Sequence, residues 1–267
     1  MTYILKTYNS MEGLKNRAAQ TGNWQAKGDL SLVYLDGIPE LNVEKHLDSA
    51  IGWMESSIEH GNPVPSGICD LGTMYDLKGT TSYQRKAYEM YLKAAPFGVV
   101  RAELNLAEIY RCGVEGVVTE DLKEAFKWYR RAAGEEKVDL DETGEGISRE
   151  MSLMRGTLRR LGIDTKIKAL RLLHKYYMSG ECPEGKPQPL KAIYYLKRAA
   201  EIGDIESQKE LGLTYLTGVS EVPKDLEKAK RWLRKAANHG SIEAKEGMPK
   251  EGLEGSTQEN MLKITDK

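Results

Sequence analysis

The chain has 267 residues, 39 Lys plus Arg against 40 Asp plus Glu, a 40% hydrophobic fraction and three cysteines. That length and apolar content suit one or two ordinary cores, and the near-zero net charge excludes the broad basic field that drives non-specific nucleic-acid binding. No basic region followed by an apolar core opens the chain, and no run of about 18 apolar residues follows, so no membrane insertion is expected. The location predicted is cytoplasmic, or periplasmic if a signal peptide was removed. Cys69, Cys112 and Cys182 form no CxxC and no even set, and are predicted to be reduced thiols.

In chain order, residues 1–22 predict a capping helix, with Met11, Leu14, Lys15, Ala18, Ala19 and Gly22 at offsets 0, 3, 4, 7, 8 and 11. Those offsets trace one stripe of a helix and its glycine stop. Residues 23–133 then predict three helix-turn-helix repeats. Their first helices carry Ala26, Leu30, Tyr34, Gly37; Gly67, Leu71, Tyr75, Gly79; and Ala102, Leu106, Tyr110, Gly113. Their second helices carry the six-residue stripe, as Ala50, Trp53, Met54, Ser57, Ile58, Gly61 and as Ala87, Met90, Tyr91, Ala94, Ala95, Gly98. The third is Ala125, Trp128, Tyr129, Ala132, Ala133, where Glu136 replaces the glycine.

Residues 134–165 predict a degenerate repeat. GEEKVDLDETGEG, Gly134 to Gly146, is acidic and glycine-rich and reads as a loop; Ile147 to Gly162 has helical apolar spacing at Ile147, Met151, Met154, Leu158 and Leu161. Two readings of the loop stand: a gate at a groove, or a solvated connector. Residues 166–245 predict repeats four and five, with Ala169, Leu173, Tyr177, Gly180 before Ala192, Tyr195, Leu196, Ala199, Ala200, Gly203, and Ser207, Leu211, Tyr215, Gly218 before Ala229, Trp232, Leu233, Ala236, Ala237, Gly240. Residues 246–267 are expected to be a flexible tail.

The residue types suit stacking. Alanine pairs allow close helix approach, larger residues on the same face fill the space between repeats, and Asp121 and Asp225 place a carboxylate at the first turn of a helix. Leu211, Gly212, Tyr215, Gly218, Asp225, Lys228, Ala229, Trp232, Lys235, Ala236, Ala237 and Gly240 spell a pattern that resembles the Sel1-like repeat, a relative of the tetratricopeptide repeat. The resemblance covers about residues 11 to 244 and implies an all-α fold, a right-handed α-solenoid of stacked helix-turn-helix repeats.

No catalytic constellation emerges. His46, His60, His174 and His239 lie in different repeats without a metal-binding spacing, and each reads as a surface helix residue, with His60 and His239 suited to the carbonyl end of a helix. There is no GxSxG, GxxxxGK[ST] or GxGxxG. Trp53, Trp128 and Trp232 share one template position and read as packing residues; Trp24 lies off it and is the one expected to be exposed. No metal and no cofactor are expected.

By resemblance to tetratricopeptide-like solenoids, the first helix of each repeat lines a concave groove. Positions around its leucine then place Arg101, Glu108, Arg111 and Cys112, then Lys168, Arg171, Lys175 and Met178, then Glu206, Lys209, Leu213 and Leu216 on that face. The first two repeats add a more apolar strip with Gln25, Leu32, Leu35, Thr73, Asp76 and Leu77. Such a groove suits a protein or peptide partner carrying acidic residues; the bland alternative is a solubilising helix surface. The functional expectation is a non-catalytic, bacterial-type interaction scaffold. Rival readings are an immunity protein neutralising a toxin, a signalling adaptor, and a hydrolase or ligand-binding enzyme in the groove.

Overall fold

The computed structural model describes residues 10–39, 43–61, 64–135 and 162–247. The acidic stretch and helix expected at 134–162 fall mostly outside these residues, as does most of the tail. Contacts divide the chain into two compact units, Met1–Lys166 and Ile167–Lys267. In the first, α1 (Met11–Ala18) precedes three hairpins: α2 (Trp24–Asp36) with α3 (Leu47–Glu59), α4 (Pro65–Asp76) with α5 (Thr81–Ala94), and α6 (Val100–Cys112) with α7 (Leu122–Ala132). α8 (Ile163–Ser179) begins at the end of the first unit and runs into the second, where it pairs with α9 (Pro189–Glu201); α10 (Ile205–Thr217) pairs with α11 (Leu226–Asn238), and the short α12 (Ile242–Glu246) follows. The fold is all-α, built of stacked helix-turn-helix repeats in the manner of a solenoid.

One turn device recurs. The carbonyl of the template tyrosine accepts the backbone N–H of the residue that precedes the second helix: Tyr34 from His46 (2.8 Å), Tyr110 from Asp121 (2.7 Å), Tyr177 from Gln188 (2.7 Å) and Tyr215 from Asp225 (2.8 Å). The glycine after the tyrosine makes room for this return. Gly37 has φ +69°, and a Cβ there would stand 2.9 Å from the Val43 carbonyl oxygen, so both conformation and space demand glycine. Asp121 and Asp225 sit one step outside their helices as N-caps, accepting from Glu124 N (3.0 Å) and Lys228 N (2.9 Å).

The core follows the template. Ala50, Met54, Leu71, Met74, Tyr75, Ala87, Tyr91, Ala94, Ala102 and Leu106 form one continuous buried cluster through the second hairpin and its neighbours. The template tyrosines tie adjacent repeats, since the Tyr75 hydroxyl donates to Glu55 Oε1 on α3 (2.5 Å) and the Tyr110 hydroxyl lies 2.8 Å from that of Tyr88 on α5.

The tryptophan expectation needs refinement. Trp232 is buried, but Trp53 and Trp128 are half-buried at the margin of the core. The next position along the helix, held by Met54, Tyr91, Tyr129, Leu196 and Leu233, is buried in all five repeats. Trp128 instead carries the Arg131 guanidinium 4.6 Å from its ring centroid. Trp24 is half-buried, and its carbonyl accepts from Ser57 Oγ at 2.6 Å. The missing glycine stop at position 136 is supplied two residues earlier by Gly134, φ +74°.

Candidate functional site

The surface to test is that of the first helices, α2, α4, α6, α8 and α10. Arg101, Glu108 and Arg111 belong to the first unit, whereas Lys168, Arg171, Lys175, Met178 and Lys209 belong to the second.

In the first unit, the guanidinium of Arg101 is exposed but engaged. It donates to the Asp70 carboxylate on α4, one repeat back, with its Nε 3.5 Å from the buried Cys69 thiol. Burial pushes the Asp70 carboxyl upward in pKa, and Arg101 opposes that shift. Burial likewise raises the Cys69 thiol, which is inert packing. Arg111 pairs with Glu108 on its own helix at 3.0 Å. Leu32 and Leu35, expected in an apolar groove, are half-buried and pack against the core of the second hairpin, whereas Leu77 is 61% exposed. Asp76 accepts the Tyr91 hydroxyl at 2.5 Å.

In the second unit, Lys168, Arg171 and Lys175 are exposed along α8 and Met178 is half-buried. Arg171 lies 3.8 Å from the Asp204 carboxylate at the start of α10, and Lys209 bridges Glu206 (2.8 Å) and Glu243 of α12. Leu213 is exposed, but Leu216 is only 7% exposed, so it does not present the open groove position expected of it. The first-helix cations are therefore largely matched by acids from the same or the neighbouring repeat. Lys168 and Lys175 have no ion-pair partner among the described residues.

His174 corrects another expectation. It is buried and bridges three helices, with Nδ1 3.0 Å from the Ala192 carbonyl of α9 and Nε2 3.0 Å from Glu210 Oε1 of α10. The hydrogen bond from His174, stronger than the opposing burial, draws the Glu210 carboxyl below its ordinary value. Both ring nitrogens thus face acceptors, and the ring ties α8 to α9 and α10 at once.

The other histidines are also occupied. His46 caps α3 by accepting from Ser49 N at 3.1 Å. His60 Nδ1 lies 2.7 Å from the Ser56 carbonyl and so carries the proton there, which leaves the Lys27 ammonium to donate to Ser56 Oγ at 3.0 Å. His239 ends α11, as expected, but binds Gln208 Oε1 at 3.0 Å. Among the described residues, no group of three His, Cys, Asp or Glu side chains could hold a metal ion, and no helix is long and apolar enough to cross a membrane. The three cysteines are free thiols, with Cys112 exposed. Sequence reasoning missed the acids that neutralise this face; the usable signal was that Asp70 and Glu210 each immediately precede a template leucine.

The comparisons agree with this architecture. The family model described as Sel1 repeat matches residues 25–62, 65–95, 100–135, 167–204 and 205–241. The crystal structure of a Sel1 repeat protein from Oxalobacter formigenes is 26% identical, with a TM-score of 0.56 over 91% of this chain and 81% of that one. Immunity protein Pa5087 from Pseudomonas aeruginosa is 18% identical, with a TM-score of 0.45 over 88% of this chain and 72% of that one. Chitin synthase regulatory factor 3 of Schizosaccharomyces pombe is 23% identical over 89% of this chain, which spans only 22% of that protein. The five matched segments coincide with the five hairpins whose turns close on a tyrosine carbonyl or on the short α4–α5 link, and on them the chain belongs to the Sel1 repeat family.

Proposed function

We propose that this chain is a non-catalytic scaffold that holds a protein partner on the exposed face of its first helices. The carrying observation is on α8. Ala169, Leu170, Leu173, Tyr176 and Tyr177 supply its packing, while Lys168, Arg171 and Lys175 stay exposed with two of the three lacking a described ion-pair partner. A rigid helix thus displays cationic groups that the fold itself does not use, a pattern suited to an acidic partner surface. The histidines, the side chains best fitted for chemistry at neutral pH, are taken up by caps and interhelix bonds.

Two narrower readings fit this scaffold and differ only in the partner: an inhibitor or immunity protein held against a folded toxin, and an adaptor within a regulatory assembly. The name of the fission-yeast relative, a regulatory factor, favours the adaptor. The test is a photo-crosslinkable residue at Met178, beside the α8 cations, compared with one at Lys127 on the outer side of α7, in the native host. A defined protein captured from Met178 and not from Lys127 supports the reading; capture from Lys127 alone removes it.

A further inference from the structure

The solvent side of the second helices can be compared across repeats, because the template fixes their register. Two positions before and two after the leading alanine are exposed in all five hairpins. In four of them these positions hold charged residues or glycine, as with Lys123 and Lys127 in α7 or Glu227 and Arg231 in α11. In α9 they hold Leu190 and Tyr194, 60% and 52% exposed, and Ile202 at the end of the same ridge is 41% exposed. Leu190, Tyr194, Arg198 and Ile202 are spaced by four and lie along one side of the helix. Outside apolar residues of this size are not needed to build the hairpin, since Ala192, Ile193, Tyr195, Leu196, Ala199 and Ala200 already form its buried side.

The ridge is self-complementary. Reversing α9 end for end about Leu196 exchanges Leu190 with Ile202, Lys191 with Glu201, and Tyr194 with Arg198. An antiparallel helix of the same sequence thus meets an apolar side chain with an apolar one at each end and lysine with glutamate beside them. At the centre it meets a tyrosine ring with a guanidinium, a pairing that Arg198 and Tyr194 already adopt within one helix at 5.7 Å. The same reversal applied to α11 brings Arg231 onto Lys235, and applied to α7 it brings Lys127 onto Arg131, so like charges meet at the centre of those helices, where α9 places a ring against a guanidinium.

We propose that α9 is a two-fold interface through which two copies of this chain pair, antiparallel, with crossing near the roughly +20° that keeps both helix ends in contact. Lys191 pairs with Glu184 at 2.8 Å and Glu201 lies 3.7 Å from Lys197 within one chain. Both are exposed pairs that contribute little to stability, and an ammonium has three donors, so each can take the added partner without loss of fold. One pair of 13-residue helices buries less than the roughly 1,200 Å² of a stable complex, so the association is weak and reversible.

The test is sedimentation of the full chain across micromolar to sub-millimolar concentration. The wild type is expected to pass from monomer to dimer. Leu190→Lys with Tyr194→Lys, the residue type that α7 carries at both places, is expected to remain monomeric with unchanged helicity and melting. Lys191→Glu alone and Glu201→Lys alone are each expected to weaken pairing about tenfold or more, because like charges then face each other. An equimolar mixture of those two single variants should restore it, since each supplies what the other lacks. A wild type that stays monomeric throughout, a dimer that survives the double lysine variant, or a mixture no better than its components overturns the proposal.

Discussion

The ring of Tyr91 on α5 lies directly over the α-carbon of Gly72 on α4: a Cβ built on Gly72 would stand 2.7 Å from Tyr91 Cε1 and 3.0 Å from Cδ1. The ring cannot retreat, because it is fully buried and its hydroxyl is held by Asp76 at 2.5 Å. Gly72→Ala should therefore destabilise the protein by about 1–3 kcal/mol through overpacking, against the roughly 1 kcal/mol that alanine gains in helix propensity. Gly52 on α3 is the control, since a Cβ there meets nothing within 4 Å, and Gly52→Ala should raise the melting temperature. Equal effects of the two substitutions in thermal melts would show that the α4–α5 approach is looser than described.

Tyr129 and Trp128 are adjacent, and the fold uses them differently. Tyr129 is fully buried, whereas Trp128 is half-buried beneath Arg131. Tyr129→Ala should cost about 3–5 kcal/mol, the range for a buried aromatic, and Trp128→Ala distinctly less despite its larger ring. Chemical denaturation of the two variants decides the register of α7, because a helix rotated by one residue reverses their order.

The hairpins were legible in the sequence because each repeat writes both of its helix stripes and its glycine turns locally, within about 35 residues. Local signals also have a resolution limit. The helix ending at Gly134 looks unterminated only when the template glycine is sought two residues later. The identity of the exposed face was far less legible. Arg101 meets an acid 31 residues away and His174 one 36 residues away, so their partners lie across the repeat interface, where a scan for basic positions does not look. His174 was misplaced for the same reason: its neighbours Leu173 and Lys175 suit either side of a helix, and only α9 and α10 together enclose it.

The His174–Glu210 contact makes stability depend on pH in a defined direction. The imidazole hydrogen bond holds the Glu210 carboxyl below its ordinary 4.5, opposed by burial and assisted by Arg171 and Lys209. A depressed folded-state value means that the unfolded chain takes up the proton first, so the contribution is full above pH 4.5 and is lost as pH falls through the lower folded value. Glu210→Gln should therefore melt below the wild type at about pH 6, with the gap narrowing as the pH is lowered below 4.5. A gap that is constant over that range would mean that the carboxylate charge does not contribute to the contact.

The functional reading rests on Lys168 and Lys175, and its test separates binding from folding. Both are exposed on α8 and neither has a described ion-pair partner, so reversing them breaks no ion pair among the described residues. Lys168→Glu with Lys175→Glu should leave melting nearly unchanged, because exposed charges contribute on the order of 1 kcal/mol or less. If an acidic partner docks on this face, the reversal opposes like charges at the interface and slows encounter, for an affinity loss of about tenfold or more at low salt. Raising ionic strength should weaken the wild-type complex and bring the two affinities together, as screening contracts from about 10 Å at 0.1 M towards about 3 Å at 1 M. The matched control reverses Arg231 and Arg234 on α11, which are exposed in the same unit but on a second helix. An affinity lost equally in both variants would point to net charge alone, and one lost only in the α11 variant would move the binding face to the outer helices.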